Sequence, residues 1–216
     1  IGHLSMGTLN TTDATNNTAV GYLSLRNIVS GDDNVAIGSS AGAAITSGAY
    51  NTVMGAYAGD AITTSSNCTL IGRAAGSGIN DNAANGTVAV GFSALEALTS
   101  GAGNTAVGSN SLMTATTGTY NTSLGLDSLN DLTTGARNIG IGSFAMDKAS
   151  GAEADNIAIG YNSLGTLNND SSIKNIAIGS NALDAISTNV SNQNVAIGHD
   201  SGTAVTTADD CTMVGY

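Results

Sequence analysis

The chain has 216 residues, a formal net charge of −11 and only 10% charged side chains, with 29 Gly, no Pro, no Trp and two Phe. Average globular sequences carry about 25% charge, and so few large side chains do not fill a conventional core. The five cations (Arg26, Arg73, Arg137, Lys148, Lys174) stand singly, which removes the electrostatic basis for nucleic-acid binding; no apolar run reaches the roughly 18 residues of a membrane span.

Self-comparison settles the architecture. One Gly per unit serves as origin: Gly2, Gly21, Gly38, Gly55, Gly72, Gly91, Gly108, Gly125, Gly142, Gly160, Gly179, Gly198 and Gly215, spaced 17 to 19 residues apart. The residue before the Gly (offset −1) is aliphatic or Met, as in Val20, Ile37 and Met54. From Thr18 onward offset −3 is β-branched, and the residue between is mostly small. Period-two alternation with β-branched enrichment predicts one short strand per unit. After the Gly, offset +3 is Ser or Ala, +4 is Leu, Met or Gly, and +7 is aliphatic or Ala. These offsets fit one face of a helical or 3-10 turn, as over 94–98 and 182–186. Length variation places outward loops at 10–15, 80–85, 150–154, 168–173 and 187–192. The prediction is an all-β parallel β-solenoid (β-roll) of about 12 coils of 17–19 residues, one repeat domain over 1–216, cut from a longer fibre. A lone coil buries too few aliphatic side chains to offset its backbone ordering, so coils must stack.

Equal offsets should then lie above one another. Offset −4 is Asn in nine units (Asn17, Asn34, Asn51, Asn104, Asn121, Asn138, Asn156, Asn175, Asn194), which reads as an amide ladder at one corner, as a set of turn formers, or as both. If −1 and −3 fill the coil, the row at −2 (Ala19, Ala36, Ala89, Ala106, Ala158, Ala177, Ala196) faces outward, small and apolar, and forms the interface of a homotrimer. Val53, Leu70 and Met213 interrupt that row. At −5, Tyr120, Arg137, Asp155 and Lys174 follow one another in consecutive units. That order predicts a surface charge ladder with Asp155 between two cations and Arg137 against the Tyr120 ring; Asp131 and Lys148 form a similar pair at +6.

The strings N-T-A-V-G-x-x-S-L and N-V-A-I-G-S-S-A-G resemble the head repeats of trimeric autotransporter adhesins, and more closely the longer repeats of bacteriophage tail fibres and bacterial surface fibres. The resemblance covers essentially all of the chain. It implies a trimeric, cofactor-free left-handed β-roll outside the cell, although the coils here are longer than the adhesin heads' near-fourteen residues.

Catalytic chemistry is not expected. The +5 carboxylates Asp60, Glu96, Asp147 and Asp184 never occupy neighbouring coils, so they read as solvated surface rather than an acid–base pair. His3 and His199 lie eleven units apart, and Asp32, Asp33, Asp209 and Asp210 lack calcium-loop spacing, so no catalytic, cofactor or metal site is assigned. Cys68 and Cys211 replace Asn in the ladder column eight units apart, about 38 Å along a stack, which excludes an intrachain disulfide. Offset +1 is mixed (His3, Tyr22, Arg73, Phe92, Tyr161, His199, Tyr216), and reads as solvated surface or as a row that touches a receptor such as a glycan. The expected function is a virion tail-fibre segment for host attachment, with a bacterial adhesin head as the alternative and a solenoid glycan depolymerase or an ice-binding protein behind them. The ice reading needs an outward Thr row, whereas Thr at −3 is expected to point inward.

Overall fold

The computed structural model describes residues 2–7, 13–80, 84–167, 172–186 and 191–216. Each unit from Gly21 on contributes one three-residue strand: β1 (Thr18–Val20), β2 (Val35–Ile37), β3 (Thr52–Met54), β4 (Thr69–Ile71), β5 (Val88–Val90), β6 (Thr105–Val107), β7 (Thr122–Leu124), β8 (Ile139–Ile141), β9 (Ile157–Ile159), β10 (Ile176–Ile178), β11 (Val195–Ile197) and β12 (Thr212–Val214). They form one parallel sheet in sequence order. Equal offsets pair throughout, as in Thr18↔Val35, Ala19↔Ala36 and Val20↔Ile37. One coil therefore corresponds to one Gly motif, including across the longer repeats, where Ile139 pairs with Ile157 and Ile157 with Ile176. The chain is a β-solenoid of about eleven turns, with coils stacked roughly 4.8 Å apart. Of the outward loops expected from length variation, 10–12, 81–83, 168–171 and 187–190 lie outside the described residues.

The Gly at each origin from Gly2 to Gly198 is required by the stack. Gly21 has φ +131°, and a Cβ there would sit 2.5 Å from the Gly38 carbonyl oxygen of the next coil. Such contact excludes any side chain and lets successive coils approach at strand spacing.

The arc after each Gly is not the helical turn expected from its side-chain offsets. Positive φ recurs at +2 and +4, as at Ser93 (52°) and Leu95 (51°), and again at Asn181 (56°) and Leu183 (51°). The hydrogen bonds alternate accordingly. In the Gly91 coil the Ser93 N–H donates to Arg73 O of the preceding coil (3.0 Å), and Leu95 and Ala97 donate to Ser111 O and Met113 O of the following one (3.0 Å each). Glu96 and Leu98 donate within the coil, to Ser93 O and Leu95 O (3.3 Å each). Every second amide thus crosses to a neighbour, which a helix cannot do, and each coil is tied to the next on this side as well as through the sheet.

The strand phase is the reverse of the expected one. Ala36, Ala89, Ala106, Ala158, Ala177 and Ala196 are fully buried inside the coil and Ala19 nearly so, while −1 and −3 point outward. The alanine row is therefore core, not an interface stripe. The reason is volume: the arc sends +4 and +7 inward, as with Leu25 and Ile28 or Leu129 and Leu132, leaving room opposite for only a small residue. Where the arc has Gly at +4, the strand supplies the bulk. A Cβ on Gly59 would lie 2.7 Å from Leu70 Cδ1, and one on Gly76 would lie 2.9 Å from Leu70 Cδ2. At the C-terminal end a Cβ on Gly202 would lie 3.1 Å from Met213 Sδ. The converse holds at Gly140, where a Cβ would meet Leu129 Cγ at 2.9 Å. Val53, Leu70 and Met213 are thus the counterparts of Gly42, Gly59 and Gly202 at +4.

The −4 asparagines form the corner. Asn34 donates to Asn17 Oδ1 from both its backbone N–H (2.9 Å) and its Nδ2 (3.0 Å), and Nδ2 also donates to Gly48 O (2.9 Å). Asn51 repeats the pattern on Asn34. A second run links Asn104, Asn121, Asn138, Asn156, Asn175 and Asn194 by the same double donation. Within each run the internal amides, such as Asn34 and Asn138, donate twice and accept twice in the interior, where an unpaired polar group costs about 1–3 kcal/mol. The column is broken at Cys68, which donates only its backbone N–H to Asn51 Oδ1 (3.0 Å), and at Thr87, whose hydroxyl turns to Ala84 O (2.8 Å). Both cysteines are free, and burial pushes the Cys68 thiol up.

Candidate functional site

Three surfaces of the solenoid carry chemistry. The first is the outer face of the sheet. Because −2 points in, −1 and −3 alternate outward along all twelve strands. Val20, Ile37, Met54, Leu124, Ile178, Ile197 and Val214 are exposed large apolar residues, with Leu124 at 47%. Thr, Val and Ile at −3 lie beside them, only partly covered. With three residues per strand and twelve rungs, the strip measures on the order of 500 Å², in the upper part of the roughly 300–600 Å² that a monomer's largest apolar patch reaches.

The second surface is the polar side rows. Arg137 donates to Asp155 through Nε (2.6 Å) and through its terminal nitrogen Nη2 (2.9 Å), a bidentate pair on adjacent coils. The guanidinium holds the Asp155 carboxyl below its ordinary range, and Lys174 contributes only as a further nearby charge. The Tyr120 ring turns the other way from the expected one, onto Gly103 of the preceding coil, where a Cβ would meet its Cδ1 at 2.7 Å. Arg73, not Arg137, makes the cation–π contact, 5.4 Å from the centre of Phe92. Lys148 reaches Asp131 (3.5 Å) and, closer, Asp147 (3.1 Å). The sequence reading missed an external ladder at +2: Asn110 Nδ2 donates to Asp127 Oδ1 (2.9 Å), and Asn181 Nδ2 to Asp200 Oδ1 (2.9 Å). Stacked His3–Tyr22 and His199–Tyr216 rings occupy the mixed +1 column at its two ends.

The third surface is a groove of about 740 Å³ on the arc side of the Gly55 to Gly108 coils. Tyr57, Asp60, Arg73, Ser77, Glu96 and Met113 stand around a floor of Ala61, Ala74, Gly78 and Ala97. Asp60, Glu96 and Arg73 belong to three different units of the sequence. Their shared concavity is signalled by the run of small residues at +6 (Ala44, Ala61, Gly78, Ala97), which gives way to Thr114, Asp131 and Lys148. Burial pushes the Asp60 carboxyl above its ordinary range, opposed by a hydrogen bond from its own backbone N–H. The same cause raises Asp147 and Asp184.

Among the described residues no cluster of three or more His, Cys, Asp or Glu is arranged to hold a metal, and no helix is long and apolar enough to cross a membrane. No protein-family model, curated protein or solved structure matches the chain.

Proposed function

We propose that this chain is a structural segment of an extracellular fibre, of the virion tail-fibre type, that assembles as a homotrimer and serves host attachment without catalysis. One observation carries the assembly: the outward row of Val, Ile, Leu and Met at −1, continuous over twelve rungs. Water contact with such a strip is unfavourable at about 25 cal/mol per Å². Another copy has the same coil rise, so its side chains stay in step along the whole length; a partner without that repeat drifts out of register. Threefold order and the extracellular setting come from the resemblance of the N-x-A-[VI]-G repeats to fibre and adhesin sequences. A bacterial adhesin head would use the same assembly; the longer coils here favour the tail-fibre type, and the flanking sequence distinguishes the two.

Sedimentation equilibrium at micromolar concentration tests this. We expect three times the monomer mass, and the monomer mass for Ile37→Asp/Ile178→Asp. A wild-type monomer overturns the proposal. The ice-binding reading regains an outward Thr column at −3, contrary to the inward expectation, yet Val35, Val88, Ile139, Ile157, Ile176 and Val195 interrupt it. Thermal hysteresis from a monomer would favour ice binding over the fibre.

A further inference from the structure

We infer that the groove across the Gly55, Gly72, Gly91 and Gly108 coils binds a short neutral oligosaccharide. The groove is maintained by backbone packing. At Gly78 a Cβ would lie 2.6 Å from Glu96 O and 3.1 Å from Leu98 O, so no side chain can fill the floor there. Ala61, Ala74 and Ala97 complete an apolar floor. Above it the walls alternate in character. Tyr57, half exposed, and Met113 offer apolar faces; Asp60, Ser77 and Glu96 offer acceptors and a hydroxyl; Arg73 offers a fork of donors. The Arg73 guanidinium is steadied on the rim by the Phe92 ring at 5.4 Å.

A pyranose has the complementary pattern: a C–H face that stacks on an aromatic ring and an equatorial belt of hydroxyls that donate to carboxylates and accept from guanidinium. Four coils at about 4.8 Å rise give room for about two or three rings. The lining carries two carboxylates against one guanidinium, and the chain has a net charge of −11, so a polyanion is repelled. A peptide strand is disfavoured as well, because the backbone is already used: Gly59 N–H donates to Ala75 O (2.9 Å), Gly76 to Ala94 O (2.9 Å) and Gly78 to Glu96 O (2.8 Å), leaving no edge to extend.

The site lies within one chain, so its test does not depend on assembly. Saturation-transfer NMR with cellohexaose, maltohexaose and mannohexaose, each at millimolar concentration, should give transfer to at least one. For that saccharide Tyr57→Ala and Arg73→Ala each weaken binding by roughly tenfold or more, and Ser77→Tyr, which fills the groove from a partly buried position in its lining, abolishes it. Tyr120→Ala, which removes an exposed aromatic at −5, outside the groove and outside the +1 row, leaves binding unchanged; thermal melts establish that every variant is folded. Absence of transfer from all three saccharides overturns the inference. So does binding that survives Ser77→Tyr, or that falls equally in Tyr120→Ala.

Discussion

In the coils around Gly38, Gly55 and Gly72 the arc carries Gly42, Gly59 and Gly76 at +4; in those around Gly91, Gly108 and Gly125 the same place holds Leu95, Leu112 and Leu129. The strand compensates. Val53 and Leu70 fill the first region from the sheet side, while the sheet side of the second shrinks to Ala106, Ser123 and Gly140. All of the large side chains in this exchange are fully buried. Core volume is thus shared between arc and strand rather than fixed in either column, as close packing requires, and at Gly76, whose own strand partner is the small Ala89, Leu70 of the preceding strand fills the space. The first region also carries the broken asparagine column and most of the groove, whereas the second has an unbroken ladder.

Truncating the large member of a layer should have the greatest effect. Leu70 bridges the empty positions at Gly59 and Gly76, neither of which has a side chain to close a cavity. Leu70→Ala should cost about 3–5 kcal/mol, in the upper part of the usual range for buried Leu→Ala. In the second region, Leu129→Ala should cost about 2–5 kcal/mol. Urea midpoints measure both. An unchanged midpoint for Leu70→Ala would mean that the strand does not supply this layer's volume.

Exchange of the two solutions comes next. Gly59→Leu alone places a Cβ 2.7 Å from Leu70 Cδ1 and 2.8 Å from Ile62 Cδ1, and overpacking of this kind costs about 1–3 kcal/mol. The backbone itself permits the change, since Gly59 has φ +48° and Leu95 at the same offset has +51°. Gly59→Leu combined with Leu70→Ala should therefore be more stable than Leu70→Ala alone. Additive losses in the double-mutant cycle would sink the idea that the two positions share one space.

These pairs also show how far the sequence could be read. Gly spacing and the β-branched column give coil count, strand position and register, because both depend on contacts that repeat identically at every rung. The inward or outward phase of the strand was not readable from alternation, which is symmetric to exchange of faces. Large residues at −1 suggested an interior, yet the arc had already filled it through +4 and +7. The anticorrelation of Leu129 with Gly140, and of Gly59 with Leu70, held the answer. The arc was misread because +3, +4 and +7 do share a face, although alternating φ sign rather than helix puts them there. The Asp155–Arg137 pair and the Asn column follow from register alone. The Tyr120 ring and the groove depend on empty space at Gly103 and Gly78, which side-chain columns do not display.

The broken ladder gives a smaller effect of opposite sign. Cys68→Asn would let Nδ2 join the backbone N–H on Asn51 Oδ1 and donate to Ala84 O, where Cys68 Sγ now makes only a 3.5 Å contact. A net gain of about 0.5–1.5 kcal/mol is expected for restored hydrogen bonding. Thr87 still terminates the run, so the gain should stay local to the first region. Hydrogen exchange of the Asn51 and Cys68 amides checks this: slower exchange supports it, and faster exchange rejects it.

The smallest contrast is electrostatic. Burial raises the Asp60 carboxyl, so its contribution to stability is fully present below the unfolded carboxylate value of about 3.9 and is lost as pH rises through the folded value. Asp60→Asn, neutral throughout, should match the wild type in acid and exceed it progressively above that point. Asp155 behaves oppositely. Arg137 lowers its carboxyl, so its contribution is present above about 3.9 and is lost as pH falls through the folded value. Asp155→Asn should therefore trail the wild type near neutrality and converge with it in acid. The Arg137–Asp155 pair is exposed, and its contribution shrinks when salt shortens the Debye length to about 3 Å near 1 M. The Asp60 effect comes from lost hydration rather than a charge partner, so it should persist at that salt concentration. Urea midpoints from about pH 2 to 7, at low and high salt, separate the two. An Asp60→Asn advantage that disappears with salt would show that neighbouring charge, not burial in the groove, sets that carboxyl.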